Sequence, residues 1–140
     1  MKTSFVSHSP AETREFGRSL GARLRPGSLL CLQGDLGAGK TTLTQGIAEG
    51  WGSRDPVSSP TFVMVNLYRA ADGRPLYHMD AYRLENLAEA AELDLDGMLA
   101  EGALIVEWPE RIAALLPASR LWLSLEHLGP TERQITLNDE

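Results

Sequence analysis

The sequence predicts an α/β domain with a mixed central sheet flanked by helices. Three observations carry this. Residues 28–33 (SLLCLQ) and 103–106 (ALIV) are short, unbroken apolar runs, as strands buried on both faces require. A glycine-rich stretch follows the first run, and residues 40–51 (KTTLTQGIAEGW) then place Leu43, Ile47 and Trp51 at helical spacing. The chain has 140 residues, 43% hydrophobic and 23% charged. That is enough for one buried core and too little for two, so residues 1–140 are expected to form a single domain.

The elements follow in order. Residues 2–7 read as a short edge strand. Ser9-Pro10-Ala11-Glu12 starts a helix: Ser9 caps it, Pro10 suits the first position and Glu12 completes a capping box. Phe16, Leu20 and Leu24 form its buried stripe, with Arg14, Arg18 and Arg25 on a solvated face, and Arg25-Pro26-Gly27 ends it. The two apolar runs are central strands. Gly52 sits where the cap of the second helix belongs. Residues 61–68 (TFVMVNLY) and 75–82 (PLYHMDAY) flank an Asp72-Gly73 turn and predict a hairpin. Residues 87–99 are rich in Leu, Ala and Glu and break near Asp94-Leu95-Asp96-Gly97, giving two short helices. Residues 111–116 predict a short helix stopped by Pro117. Residues 121–125 and 134–137 close the chain as strands around Gly129-Pro130.

Composition excludes several classes. With 13 Lys and Arg against 19 Asp and Glu, the net charge is -6, which argues against binding nucleic acid through global charge. The single cysteine, Cys31, rules out an internal disulfide and a cysteine zinc cage. It sits in an apolar strand and reads as a small buried hydrophobe. No apolar run approaches a membrane span, and the first residues lack the apolar stretch of a secretory signal. The expected compartment is the reduced cytoplasm, with no membrane association.

The sharpest motif is Gly34-Asp35-Leu36-Gly37-Ala38-Gly39-Lys40-Thr41, with Thr42 following. It fits G-x-x-x-x-G-K-[ST], the phosphate-binding P-loop. Glycines let successive backbone N–H groups turn inward as an anion nest, and the next helix offers its positive end. Lys40 reaches the β and γ phosphates, and the Thr41 hydroxyl is placed for Mg²⁺. A chance match in a chain this long is on the order of half a percent. The apolar strand before it and the amphipathic helix after it supply the context that a plain glycine turn lacks.

Such a site needs a second acid at the carboxyl end of a strand. Two qualify: Glu107, which ends ALIV, and Asp80, which ends LYHMD. Either could serve Mg²⁺ or the attacking water. His78, in the same strand as Asp80, reads as a packed or hydrogen-bonded residue rather than a catalyst.

GDLGAGKTT at residues 34–42, SPTF at 59–62, HMDAYRL at 78–84 and VEWPER at 106–111 occur in that order. Their order and spacing resemble the TsaE (YjeE) family. The resemblance implies a small bacterial P-loop ATPase that uses ATP and Mg²⁺. Its role would be in threonylcarbamoylation of adenosine 37 in tRNAs reading ANN codons. It would act with TsaB and TsaD and meet tRNA only through that complex. By matching motif, Lys40 and Thr41 take the phosphate and Mg²⁺ roles. Glu107 looks like the second metal ligand, and Asp80 like the residue that positions or activates water. Ser59-Pro60-Thr61 looks like a switch segment, Trp108 packs near the nucleotide or a partner, and Arg133 matches an arginine that reaches the nucleotide.

Two other readings share the P-loop. A small-molecule kinase would carry an arginine-rich lid, which residues 61–82 do not resemble. A GTP-driven switch would carry Asn-Lys-x-Asp, which the sequence lacks. ATP turnover without an acceptor separates the first, and ATP against GTP binding the second.

Overall fold

The computed structural model describes residues 2–35, 39–58, 65–82, 84 and 86–139. The two apolar runs lie side by side as parallel strands, β2 (Leu29–Gln33) and β5 (Ala103–Glu107), pairing Leu30 with Ile105 and Leu32 with Glu107. Around them stand β1 (Lys2–Ser7), β3 (Val65–Arg69), β4 (Pro75–Asp80), β6 (Leu121–His127) and β7 (Arg133–Asp139). Among the described residues these seven strands form one sheet in the order β1-β7-β6-β2-β5-β4-β3. The inner four, β6, β2, β5 and β4, are parallel, and β3 and β7 pair antiparallel with their neighbours. The mixed sheet and its two central strands are therefore as predicted. Cys31 is buried within β2.

Helices α1 (Pro10–Arg23) and α2 (Lys40–Trp51) cover one face. They pack Leu20, Leu24, Leu43, Ile47 and Trp51 against Leu30, Leu32, Leu76 and Ile105. Helices α3 (Leu87–Ala91) and α4 (Leu95–Glu101) belong to the other side, where Cys31, Met79, Leu104 and Val106 form a second core. Among the described residues no helix is long and apolar enough to cross a membrane.

The start of α1 follows its sequence closely. The Ser9 hydroxyl accepts the Glu12 N–H at 3.1 Å, a cap of about 1 kcal/mol. The Glu12 carboxylate reaches one residue further back than a capping box requires and accepts the His8 N–H at 3.0 Å. Leu20 and Leu24 are buried, whereas Phe16 is only partly so and stacks on Phe5 of β1. Arg14 and Arg18 are not merely solvated. Both bind Glu49 of α2, and their hydrogen bonds, Arg18 first, hold the Glu49 carboxyl below its usual range. The pairs lie at the surface, so they orient the two helices more than they stabilise them.

Three boundaries depart from the sequence reading. Strand β4 stops at Asp80 because the Asp80 carboxylate accepts the Tyr82 N–H at 2.9 Å, a local bond that competes with the sheet ladder. Residues 111–116 do not form an α-helix. Pro109–Arg111 and Ala113–Leu115 are 3₁₀ turns, the form short segments take between prolines. β6 and β7 run longer than predicted, from the Leu121–Asp139 pair to the His127–Arg133 pair. The first four residues of the predicted strand 61–68 lie outside the described residues.

Candidate functional site

Three chain segments meet at one edge of the sheet. β2 ends at Gln33 and leads into Gly34 and Asp35. β4 ends at Asp80 and β5 at Glu107. Because β4 and β5 are parallel and Asp80 pairs with Glu107, both acids leave the sheet at this same edge. Period-two alternation then settles the faces. Leu32, Ile105 and Leu76 face α2. Glu107, paired with Leu32, shares that face, and so do His78 and Asp80, two and four residues on from Leu76.

Lys40 opens α2 over this edge. Gly39, the cap residue, has φ +100°, a conformation glycine adopts without a Cβ clash. The Lys40 ammonium is buried and has no hydrogen-bond partner among the described residues. It lies 3.8 Å from Glu107 Oε1 and 4.3 Å from the centre of the Trp108 ring. A buried ammonium without hydrogen bonds is costly. Among the described residues its surroundings hold no acceptor that answers it.

Trp108 reaches that position through a strained backbone. Its φ of 57° is the one positive value at a non-glycine among the described residues. Such a conformation costs on the order of 1–3 kcal/mol. It turns the chain sharply after Glu107, so that the indole lies over Lys40 and against Tyr82, with ring centres 4.9 Å apart. The Arg111 guanidinium stands 5.4 Å from the far aromatic, Tyr82.

The Glu107 carboxylate is buried and bonded to His78, with Oε2 2.5 Å from Nε2. On its other side His78 Nδ1 lies 2.9 Å from the Tyr68 hydroxyl. The histidine is thus hydrogen-bonded and packed, as its place in a strand suggested. Its partner is a site residue, which the sequence did not disclose. Burial pushes the Tyr68 phenol up, so it stays protonated as a donor.

Arg133 begins β7 beside the loop. The space a Cβ would take on Gly39 lies 3.8 Å from Arg133 Nε, and Arg133 Nη1 donates to the carbonyls of Gly129 and Glu132 at 3.1 and 3.0 Å. The structure thus brings together Gly39, Lys40, Glu107 and Arg133, with Asp80 paired to Glu107. Thr41 and Thr42 lie in the first turn of α2, partly buried. Leu36, Gly37 and Ala38 of the loop and the segment 59–62 lie outside the described residues.

Among the described residues no group of three or more His, Cys, Asp or Glu forms a cation cage. Mg²⁺ seldom needs one. It is commonly held by one or two carboxylates together with substrate phosphates; of the two residues expected to bind it, Glu107 ends β5 at this edge and Thr41 lies in the first turn of α2.

A family model described as threonylcarbamoyl adenosine biosynthesis protein TsaE matches residues 7–135. The chain is 45% identical over 130 residues to the tRNA threonylcarbamoyladenosine biosynthesis protein TsaE of Bacillus subtilis, covering 91% of this chain and 80% of that one. It is 46% identical over 125 residues to the protein of that name from Streptomyces coelicolor, covering 87% and 84%. The Treponema pallidum protein of the same name is 38% identical over 134 residues, covering 94% and 97%. The crystal structure of Bacillus subtilis YdiB superposes with a TM-score of 0.83 at 38% identity, covering 99% of this chain and 86% of that one. With a family model across most of its length and relatives matched nearly end to end, the chain belongs to the TsaE family of threonylcarbamoyl adenosine biosynthesis proteins.

Proposed function

We propose that the chain binds and hydrolyses ATP with Mg²⁺ as an accessory to threonylcarbamoylation of adenosine 37 in tRNAs that read ANN codons, acting in the cytoplasm with TsaB and TsaD. One observation carries the nucleotide part: the buried Lys40 ammonium without a hydrogen-bond partner among the described residues, set at the head of α2. A triphosphate supplies the missing acceptor oxygens. The helix N-terminus adds its own positive end.

The residues divide the work. Lys40 holds the β and γ phosphates. Thr41 and Glu107 would hold Mg²⁺, which when bound neutralises charge on the phosphate oxygens. Asp80, at the neighbouring strand end, orients the attacking water and accepts its proton. Trp108 covers Lys40 and keeps bulk water from it. Arg133, beside Gly39, reaches the nucleotide from β7.

Charge substitution separates the two acids. Glu107→Gln keeps the shape and removes the charge. It should raise the Mg²⁺ concentration needed for nucleotide binding by about 10-fold or more. Asp80→Asn should leave that binding intact and lower turnover by about 10²-fold or more. Isothermal titration and a phosphate-release assay read the two effects. The reverse pattern would exchange the roles.

The partner reading has its own test. At net charge -6 the isolated chain has few cations to offer tRNA phosphates. It should bind tRNA weakly at physiological salt and bind TsaB–TsaD with an affinity that differs between ATP, ADP and no nucleotide, since coupling requires a differential contact. Equal partner affinity in all three states together with tight binding of tRNA alone would reject this arrangement.

A further inference from the structure

The Glu107 carboxylate is placed by another side chain. Strand β4 brings His78 opposite Ile105, one alternation before the Asp80–Glu107 pair. The Glu107 side chain folds back along the sheet to meet it, and both groups are almost wholly buried, at 5% and 1% exposure. A buried carboxylate needs a donor. Lys40 at 3.8 Å is beyond hydrogen-bond range. Among the described residues the hydrogen bond to this carboxylate comes from His78.

Proton counting fixes the ring. An ionised carboxylate only accepts, so Nε2 carries the hydrogen. Nδ1, on the far side of the ring, lies 2.9 Å from the Tyr68 hydroxyl. That hydroxyl donates to the Ser58 carbonyl at 3.1 Å, and Asn66 Nδ2 donates to the same carbonyl at 3.1 Å.

We propose that His78 is a positioning residue: packed against Tyr68, it engages Glu107 Oε2 through Nε2 and so turns Oε1 toward Lys40 and the Mg²⁺ site. The inference rests on the proposed metal role of Glu107. It goes beyond that role by naming the side chains that orient the carboxylate. Groups that hold a ligating carboxylate typically change metal affinity about 10–100-fold when removed.

Two measurements test it on the full chain. The first needs no nucleotide. In ¹⁵N-labelled protein the imidazole of His78, identified by its loss in His78→Gln, should carry a hydrogen on Nε2 with a strongly downfield resonance. Glu107→Gln should move that proton upfield. An Nδ1–H tautomer would overturn the proposal. The second titrates Mg²⁺ into protein with ATP. His78→Phe should raise the half-saturating Mg²⁺ about 10–100-fold while ATP binding without Mg²⁺ stays as it is. His78→Gln, which returns an N–H near the Nε2 position, should recover to within about threefold of the parent, and Tyr68→Phe should fall between. Should His78→Phe not fold, Tyr68→Phe and the imidazole spectrum decide. A folded His78→Phe with unchanged Mg²⁺ dependence, while Glu107→Gln loses it, overturns the positioning role and leaves the ATPase reading standing. A parent protein that shows no Mg²⁺-dependent ATP binding overturns both.

Discussion

Replacing Lys40 with Met is expected to cut ATP hydrolysis by at least ~10²-fold, the usual cost of removing one preorganised charge from a transition state, while the fold remains intact. The two halves of this expectation have separate causes. Methionine keeps most of the unbranched stem of lysine, so packing of the stem survives although the ammonium over the Trp108 ring is lost. Without phosphate, the ammonium contributes two opposed terms. Its pairing with Glu107 at 3.8 Å is favourable, and its burial without hydrogen bonds is unfavourable. The relieved burial offsets part of the lost pairing and Glu107 keeps its contact with His78, so the loss of stability should stay below the ~3–5 kcal/mol typical of a broken buried pair. Added ATP should raise the melting temperature of the parent and not of the variant. A folded Lys40→Met protein that still hydrolyses ATP normally would sink the nucleotide assignment. An unfolded one would show that the fold itself depends on Lys40.

The residues of this site differ in how far local sequence discloses them. β2, α2 and β5 are legible because each announces itself within its own window: an unbroken apolar run, helical spacing at Leu43, Ile47 and Trp51, and a second run ending in an acid. The P-loop spacing and the strand-end position of Glu107 and Asp80 are equally local. The His78–Glu107 bond is not. It depends on β4 lying beside β5 in the register that pairs Asp80 with Glu107, and a strand's own residues do not encode its neighbour. The same holds for Arg14 and Arg18. A helical wheel puts them outside, and only the crossing of α1 and α2 supplies Glu49. The backbone conformation of Trp108 was hidden for another reason. The following proline disfavours right-handed helix at this residue but does not choose the left-handed region that it occupies.

Glycine spacing shows its purpose only in the tertiary structure. Gly17 and Gly21 in α1, and Gly46 and Gly50 in α2, recur four residues apart. Taken one helix at a time they look like weakness, since each costs ~1 kcal/mol against alanine. Their use appears only where the helices meet. A Cβ on Gly46 would stand 2.0 Å from the Arg14 carbonyl oxygen, and one on Gly50 2.0 Å from that of Arg18. A Cβ on Gly21 would stand 2.1 Å from the carbonyl oxygen of Ile47. All three obstacles are backbone, which no side-chain rotation relieves.

Gly46→Ala should therefore be among the most damaging single-methyl additions in the chain. Ordinary contact needs well over 3 Å, so α1 and α2 must separate by roughly 1 Å or tilt. Overpacking of this kind costs typically 1–3 kcal/mol and here should reach or exceed the upper figure, against the 5–15 kcal/mol that holds an ordinary domain together. The damage should also reach the site, since Lys40 and Thr41 stand at the head of the same α2. Any shift of α2 carries the Lys40 ammonium away from Glu107, and a displacement near 1 Å can cost about 10²-fold in rate. Gly73→Ala serves as the control. Gly73 has φ +93° but nothing within 4 Å of a Cβ, so it should cost only about 1 kcal/mol and leave turnover unchanged. Urea melts of both variants, with ATP turnover measured where each is fully folded, compare the two. Equal and small losses for Gly46→Ala and Gly73→Ala would show that the helix pair can relax freely, and that the position of Lys40 does not depend on how closely α1 and α2 approach.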